Sequence, residues 1–182
     1  MHRTIIAALL VTPLWSQSPA ANPQLTSAKD FYVMVRSTIL KSADKMPEAK
    51  WGFRPTDEVK TFGEMVAHIA DAQFYICGVV KLGDPDKTSN RSVEKTAKTK
   101  TEILKWLNEG FAYCDSTYAD LTDASSAEIV NFFGQPRTKW SVLSFNTAHV
   151  NEHYGNLVTY MRMNKIVPPT SESAPAPAPA KK

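Results

Sequence analysis

Apolar residues recur at three- and four-residue steps over four long segments of the chain, the spacing that gathers them on one stripe of an α-helix. The first segment runs from about Ser27 to Met46, with Phe31, Val35, Ile39, Ala43 and Met46 on its stripe. Pro47 closes it, because the residue before a proline avoids helical geometry. The second opens at "TFGE", where Thr61 and Glu64 have the spacing of a capping box, and carries Phe62, Met65, Val66, Ile69, Ile76 and Val80 on to about Leu82. The third is predicted over Val93 to Leu121, with Ile103, Leu107, Phe111, Cys114, Tyr118 and Leu121 turned inward. The fourth runs from about Ser141 to Asn164 and stops at "IVPP". The loop before the second helix holds Trp51 and Phe53, which are expected to fold back over the core. The stretch 124–139 is the least regular: Gly134 and Pro136 mark a turn, and "EIVNFF" fits a short strand or a piece packed over the bundle end. No alternating pattern is strong enough to build a sheet. Four helices of about 20 residues joined by loops predict an all-α four-helix bundle.

The two ends read differently. Residues 1–21, "MHRTIIAALLVTPLWSQSPAA", pass from a basic start through an apolar run to small residues, the order of a cleavable secretory signal peptide. The apolar run is shorter than the ~20 residues that span a bilayer, so export without stable membrane insertion is expected, to the periplasm or outside the cell. From Pro168 the chain is rich in proline and alanine, and 168–182 reads as a disordered, extended tail. The globular domain is then 24–167. An oxidising compartment permits a bridge between Cys77 and Cys114, and the same residues suit two separate buried apolar positions; the sequence leaves both open. The 182 residues carry a net charge of only +3, with acids and threonines interspersed among the lysines. That is a solvated surface, and no nucleic-acid partner is expected.

Histidine is scarce. Of the four in the chain, His2 falls in the leader, so His68, His149 and His153 remain. At ~100° per residue, His149 and His153 lie about 40° apart on the fourth helix. Val142, Phe145, Asn156 and Tyr160 are expected on the same inward side, with Asn146 flanking. Two imidazoles at i and i+4 on one face can reach one metal ion. His68 shares a stripe with Met65, Ala72 and Tyr75 and can face a neighbouring helix. Buried histidines with satisfied hydrogen bonds are common, so the pair alone is a weak signal. The third ring strengthens it, because bundles build metal sites from side chains projecting inward from facing helices. Three protein ligands leave one position for water or substrate. Nearby, Asp71 is placed to hold an imidazole tautomer, Asn156 to face the site one turn beyond His153, and Glu152 to act as a general base or to stand as an exposed helix carboxylate. Tyr75 and Tyr160 are expected to pack, and Gly155 to permit close helix approach.

"TFGEMVAHIADAQ" and "HVNEHYGNLVTYMRMNKIVPP" resemble the two motif blocks of the DinB-like family of metal-binding four-helix bundles, and the likeness covers about 28–169. It implies a divalent metal, zinc or nickel, held by His68, His149 and His153, which fill the family's ligand positions without departure. It also implies kinship with bacillithiol- and mycothiol-dependent S-transferases and a thiol-dependent isomerase, and a homodimer. Those transferases act on cytosolic thiols, whereas this chain carries an export leader, so the resemblance leaves the reaction open. Two functions follow as expectations: a metal-dependent transferase or hydrolase acting on a small molecule, or a non-catalytic metal- or ligand-binding module.

Overall fold

A computed structural model of the protein describes residues 22–88 and 91–172. The expected signal peptide, and most of the expected tail, lie outside the described residues. Four long helices dominate: α1 (Pro23–Lys45), α2 (Phe62–Leu82), α4 (Lys100–Ala119) and α6 (Lys139–Met163), with two single-turn helices between them, α3 (Val93–Thr96) and α5 (Asp123–Ser126). Helix α2 packs against α4 and α6, and α1 closes the ring against the same two. Tyr32, Ile39, Phe62, Ile69, Leu107, Phe111, Leu143 and Leu157 fill the shared core and are almost fully buried. Each such side chain contributes roughly 1.5–3 kcal/mol through burial. Helix α2 is long and apolar enough to cross a membrane by length and composition, and 67% of its most apolar window is buried within the bundle.

Local chemistry sets the helix ends. The Thr61 hydroxyl accepts from the Glu64 amide while the Glu64 carboxylate accepts from the Thr61 amide, which is the reciprocal cap anticipated for α2. The predicted third helix is broken in two. Thr99 and Glu102 form a second capping box that starts α4 afresh, and Ala97 is extended at φ −79°, ψ 130°, so α3 stands apart as one turn. The first stripe is also rotated: Phe31 is 61% exposed, and Tyr32, at 1%, takes the core position.

The irregular stretch forms a hairpin, β1 (Ile129–Phe132) and β2 (Gln135–Thr138), with Phe132 paired to Gln135. Phe133 and Gly134 make its two-residue turn, both left-handed at φ 51° and 74°. This is the type I′ turn whose twist suits a hairpin. Gly134 adopts that geometry freely, whereas a left-handed phenylalanine costs about 1–2 kcal/mol. Trp51 does return to the core, donating its indole N–H to the Met46 carbonyl at 3.0 Å.

Cys77 and Cys114 are bridged, tying α2 to α4 with Cα atoms 5.3 Å apart. Gly110 lets the two helices close: a Cβ there would lie 3.1 Å from the Ala70 carbonyl oxygen. Beside the bridge, Gln73 and Asn146, both fully buried, exchange two amide hydrogen bonds of 3.2 and 2.9 Å. The first residues of the expected tail are described and pack on the bundle. Pro168 is buried, and the Tyr154 hydroxyl sits 2.7 Å from the Thr170 hydroxyl, which fastens the turn Pro169–Ser171 onto α6.

Candidate metal centre

Helices α2 and α6 bring the three histidines to one point. Their spacing along each helix sets the directions, and packing of α2 on α6 sets the separation. His68 Nε2 lies 3.3 Å from His149 Nε2, and His153 Nε2 lies 3.0 Å from the same atom. One ligand atom from each ring falls within 4.8 Å of the other two, and this is the grouping of metal-ligating side chains found among the described residues. All three rings are partly buried.

These contacts make poor hydrogen bonds as a set. His149 Nε2 has one lone pair in the ring plane and faces two other nitrogens. Sharing that lone pair between two N–H donors leaves both bonds weak. A cation resolves the arrangement, because each nitrogen then directs its own lone pair at one centre. Tetrahedral coordination with bonds of about 2 Å separates donor nitrogens by about 3.3 Å, which matches the spacing observed. The three imidazoles therefore fit a divalent ion and could hold one.

The electrostatics agree. Burial, reinforced by His153 and His68, lowers the His149 pKa to about 4 against an opposing pull from Glu152. Burial, with His68 and Lys60, lowers His153 to about 4 as well. Both rings are thus neutral lone-pair donors at physiological pH. Neutral imidazole is the form that binds metal.

The surrounding residues depart from expectation in three places. Asp71 does not hold an imidazole: its carboxylate oxygens accept from the backbone amides of Val93 and Glu94 at 2.9 and 3.1 Å, which fixes the start of α3. That anchoring brings in Glu94, a residue the sequence reading missed. Glu94 Oε2 lies 3.6 Å from His68 Nδ1, and its other oxygen accepts from Lys60. A carboxylate facing the outer nitrogen of a ligating histidine is the arrangement that orients such rings. Asn156 is exposed rather than inward, and Phe145 is 44% exposed at the rim of the site. The 100° rotation places both correctly around α6; the bundle opens at that sector instead of closing over it. Glu152 is exposed, and its bearing on the site is its charge acting on His149. His149 Nδ1 and His153 Nδ1 are buried with no hydrogen-bond partner among the described residues. Gly155 has no neighbour where a Cβ would stand, so it does not serve close helix approach. Tyr160 packs as expected and donates its hydroxyl to the Lys60 carbonyl at 2.9 Å.

A cleft of about 440 Å³ opens beside the rings. His68 and His149 line it together with Tyr75, Phe133 and Phe145, and Glu94 and Lys95 line it as well. The size suits a small organic ligand.

Known proteins share this fold. A DinB-like protein from Bacillus cereus superposes with a TM-score of 0.68 at 18% identity, over 79% of this chain and 95% of that one. A DinB-like protein from Bacillus subtilis gives 0.59 at 21% identity, over 76% and 92%. The mycothiol-dependent maleylpyruvate isomerase gives 0.63 at 13% identity, over 73% of this chain and 60% of that one. At these identities the likeness is one of fold. No curated protein matches the chain. The sequence pattern of the DinB superfamily matches residues 32–157, a span that contains all three histidines and all four long helices but for the first turns of α1 and the last six residues of α6, and the chain is therefore a member of that superfamily.

Proposed function

We propose that the protein is an exported, metal-dependent enzyme of the transferase or hydrolase type, with a divalent ion, zinc or nickel, held by His68, His149 and His153. The observation that carries this reading is the convergence of three Nε2 atoms beside an open cleft of about 440 Å³. A site sealed by a fourth side chain would serve structure; one that faces a cavity has room for a guest. When bound, the ion supplies Lewis acidity that makes a thiol or water more acidic and polarises a substrate oxygen. The chain's own residues do the rest. His149 and His153, held neutral, keep their lone pairs for the ion. Proton acceptance falls to Glu94 rather than Glu152. Glu64 and Asp71 also edge the cleft, but their carboxylates are committed to backbone amides. Glu94 lines the cleft with its carboxylate between Lys60 and His68, free of backbone amides.

Export is supported by the buried Cys77–Cys114 bridge, since such bonds persist in oxidising compartments. Pairing of two copies is supported by the apolar face between α1 and α6, where Phe31, Met34 and Trp140 are exposed.

The test is turnover. The zinc-loaded full chain is given a small thiol with an activated aryl halide and, separately, an activated ester in water. Turnover in either assay should disappear in His149→Ala and fall about a hundredfold in Glu94→Gln, the smaller end of general-base contributions. Rates equal to those of His149→Ala in both assays, with zinc fully bound to the native chain, would leave a binding module instead.

A further inference from the structure

The hairpin carries a feature that the metal site does not require. Phe133 occupies the first position of a type I′ turn at φ 51°, where asparagine, aspartate or glycine is the usual choice. A bulky residue in that region is a real outlier, and such strain persists where something gains from it. Anchoring of the hairpin does not account for all of it. Phe132 already anchors the hairpin, at 6% exposure, packed 5.2 Å from Phe145 between ring centroids. Phe133 is 64% exposed and lines the cleft.

Its neighbours continue the surface toward the histidines. The Tyr75 ring stacks on Phe133 at 5.7 Å and 29°. Phe145 meets Phe133 edge-on at 6.2 Å. Phe145 in turn lies nearly parallel to the His149 ring, at 6.0 Å and 18°. One wall of the cleft is therefore a run of aromatic rings, each against the next, leading from a metal-ligating ring out to the hairpin tip.

We propose that this wall is a slot for a planar aromatic ring, so that the substrate is a small molecule with a metal-binding polar head and an aryl group, and that Phe133 is its specificity-determining residue. The assignment of the head group rests on the function proposed above; the assignment of the ring rests on the wall alone. Aromatic surfaces prefer offset-stacked or edge-on partners with flat faces, whereas a merely greasy cleft favours whichever ligand is more hydrophobic.

Two ligands separate those cases. Phenylacetohydroxamate and cyclohexylacetohydroxamate share a carbon skeleton and a chelating head, and the cyclohexyl compound is the more hydrophobic. Their affinities for the zinc-loaded full chain are measured by calorimetry, and their contacts with the metal-free chain by saturation-transfer NMR. The slot predicts about two- to tenfold tighter binding of the phenyl compound. Phe133→Asn supplies a residue the turn prefers, so the hairpin is kept or strengthened; the phenyl preference should vanish while acetohydroxamate, which has no ring, binds as before. Equal affinities, a preference for cyclohexyl, or a phenyl preference that survives Phe133→Asn would overturn the slot. If zinc fails to bind, the metal reading falls, and the ring preference in the metal-free chain still decides this proposal. Absence of any ring contact in both forms rejects it.

Discussion

Breaking the Cys77–Cys114 bridge perturbs one link whose magnitude can be worked out. The bond closes a loop of 37 residues between α2 and α4. In the chain-entropy treatment a loop of that length restricts the unfolded state by about 4 kcal/mol at 25 °C. For a protein of this size each kcal/mol moves the melting temperature by about 2–4 °C, so reduction should lower it by roughly 8–15 °C. Reduced native chain is the cleaner comparison, because both sulfurs remain in place. The Cys77→Ala, Cys114→Ala double variant should lose more, since the Asn146 amide nitrogen lies 3.8 and 3.7 Å from the two sulfurs and would face a void. Both are compared with oxidised protein by urea titration and calorimetry, after checking that unfolding is reversible. A reduced chain within about 1 kcal/mol of the oxidised one would refute the reasoning, and would show that α2 and α4 are held by packing alone.

Two further consequences concern the site itself. The metal-free protein should lose stability as pH falls. Its His149 and His153 hold pKa values near 4, below the ordinary 6.5, so between those values the unfolded chain binds protons that the folded chain refuses. Urea titrations at pH 7 and pH 4.5 should show the drop, and a flat or rising profile would contradict the burial argument. Asp71→Ala should release the Val93 and Glu94 amides, fray α3 and let Glu94 leave His68; metal affinity should then fall about 10-fold or more, as for other residues that orient ligating rings, while helical content changes little. Unchanged affinity on calorimetric titration would mean that Glu94 does not orient the ring.

Where the sequence was legible, a short-range signal coincided with the structure. The Thr61–Glu64 cap, the buried stripe of α2 and the inward stripe of α4 are all local patterns, and all stand as read except at Leu121, which lies just past α4 and is half-buried. The split of the third helix was written just as locally, in Thr99 and Glu102, but the apolar stripe overlapped it and drew attention away. Facing was harder. A helical wheel gives the angle between Phe145 and His149 but not which sector meets solvent, and that depends on where the hairpin and α3 leave the bundle open. Asp71 looked like a partner for His68 because it lies one turn away along α2. The structure spends it on α3, and the partner comes from 26 positions along the chain, in a four-residue helix with no periodicity to detect. The hairpin was legible in part: a turn at Gly134 and a short strand in "EIVNFF" were among the readings, but the second strand was not, because the turn begins with Phe133, a residue that turn signals do not include.

The central claim is that three imidazoles from two helices share one ion. Metal content of the purified full chain, measured by plasma mass spectrometry beside His149→Ala of unchanged helical content, addresses it directly. About one divalent ion per native chain and almost none in the variant is the predicted result. The same content in both proteins would contradict the account.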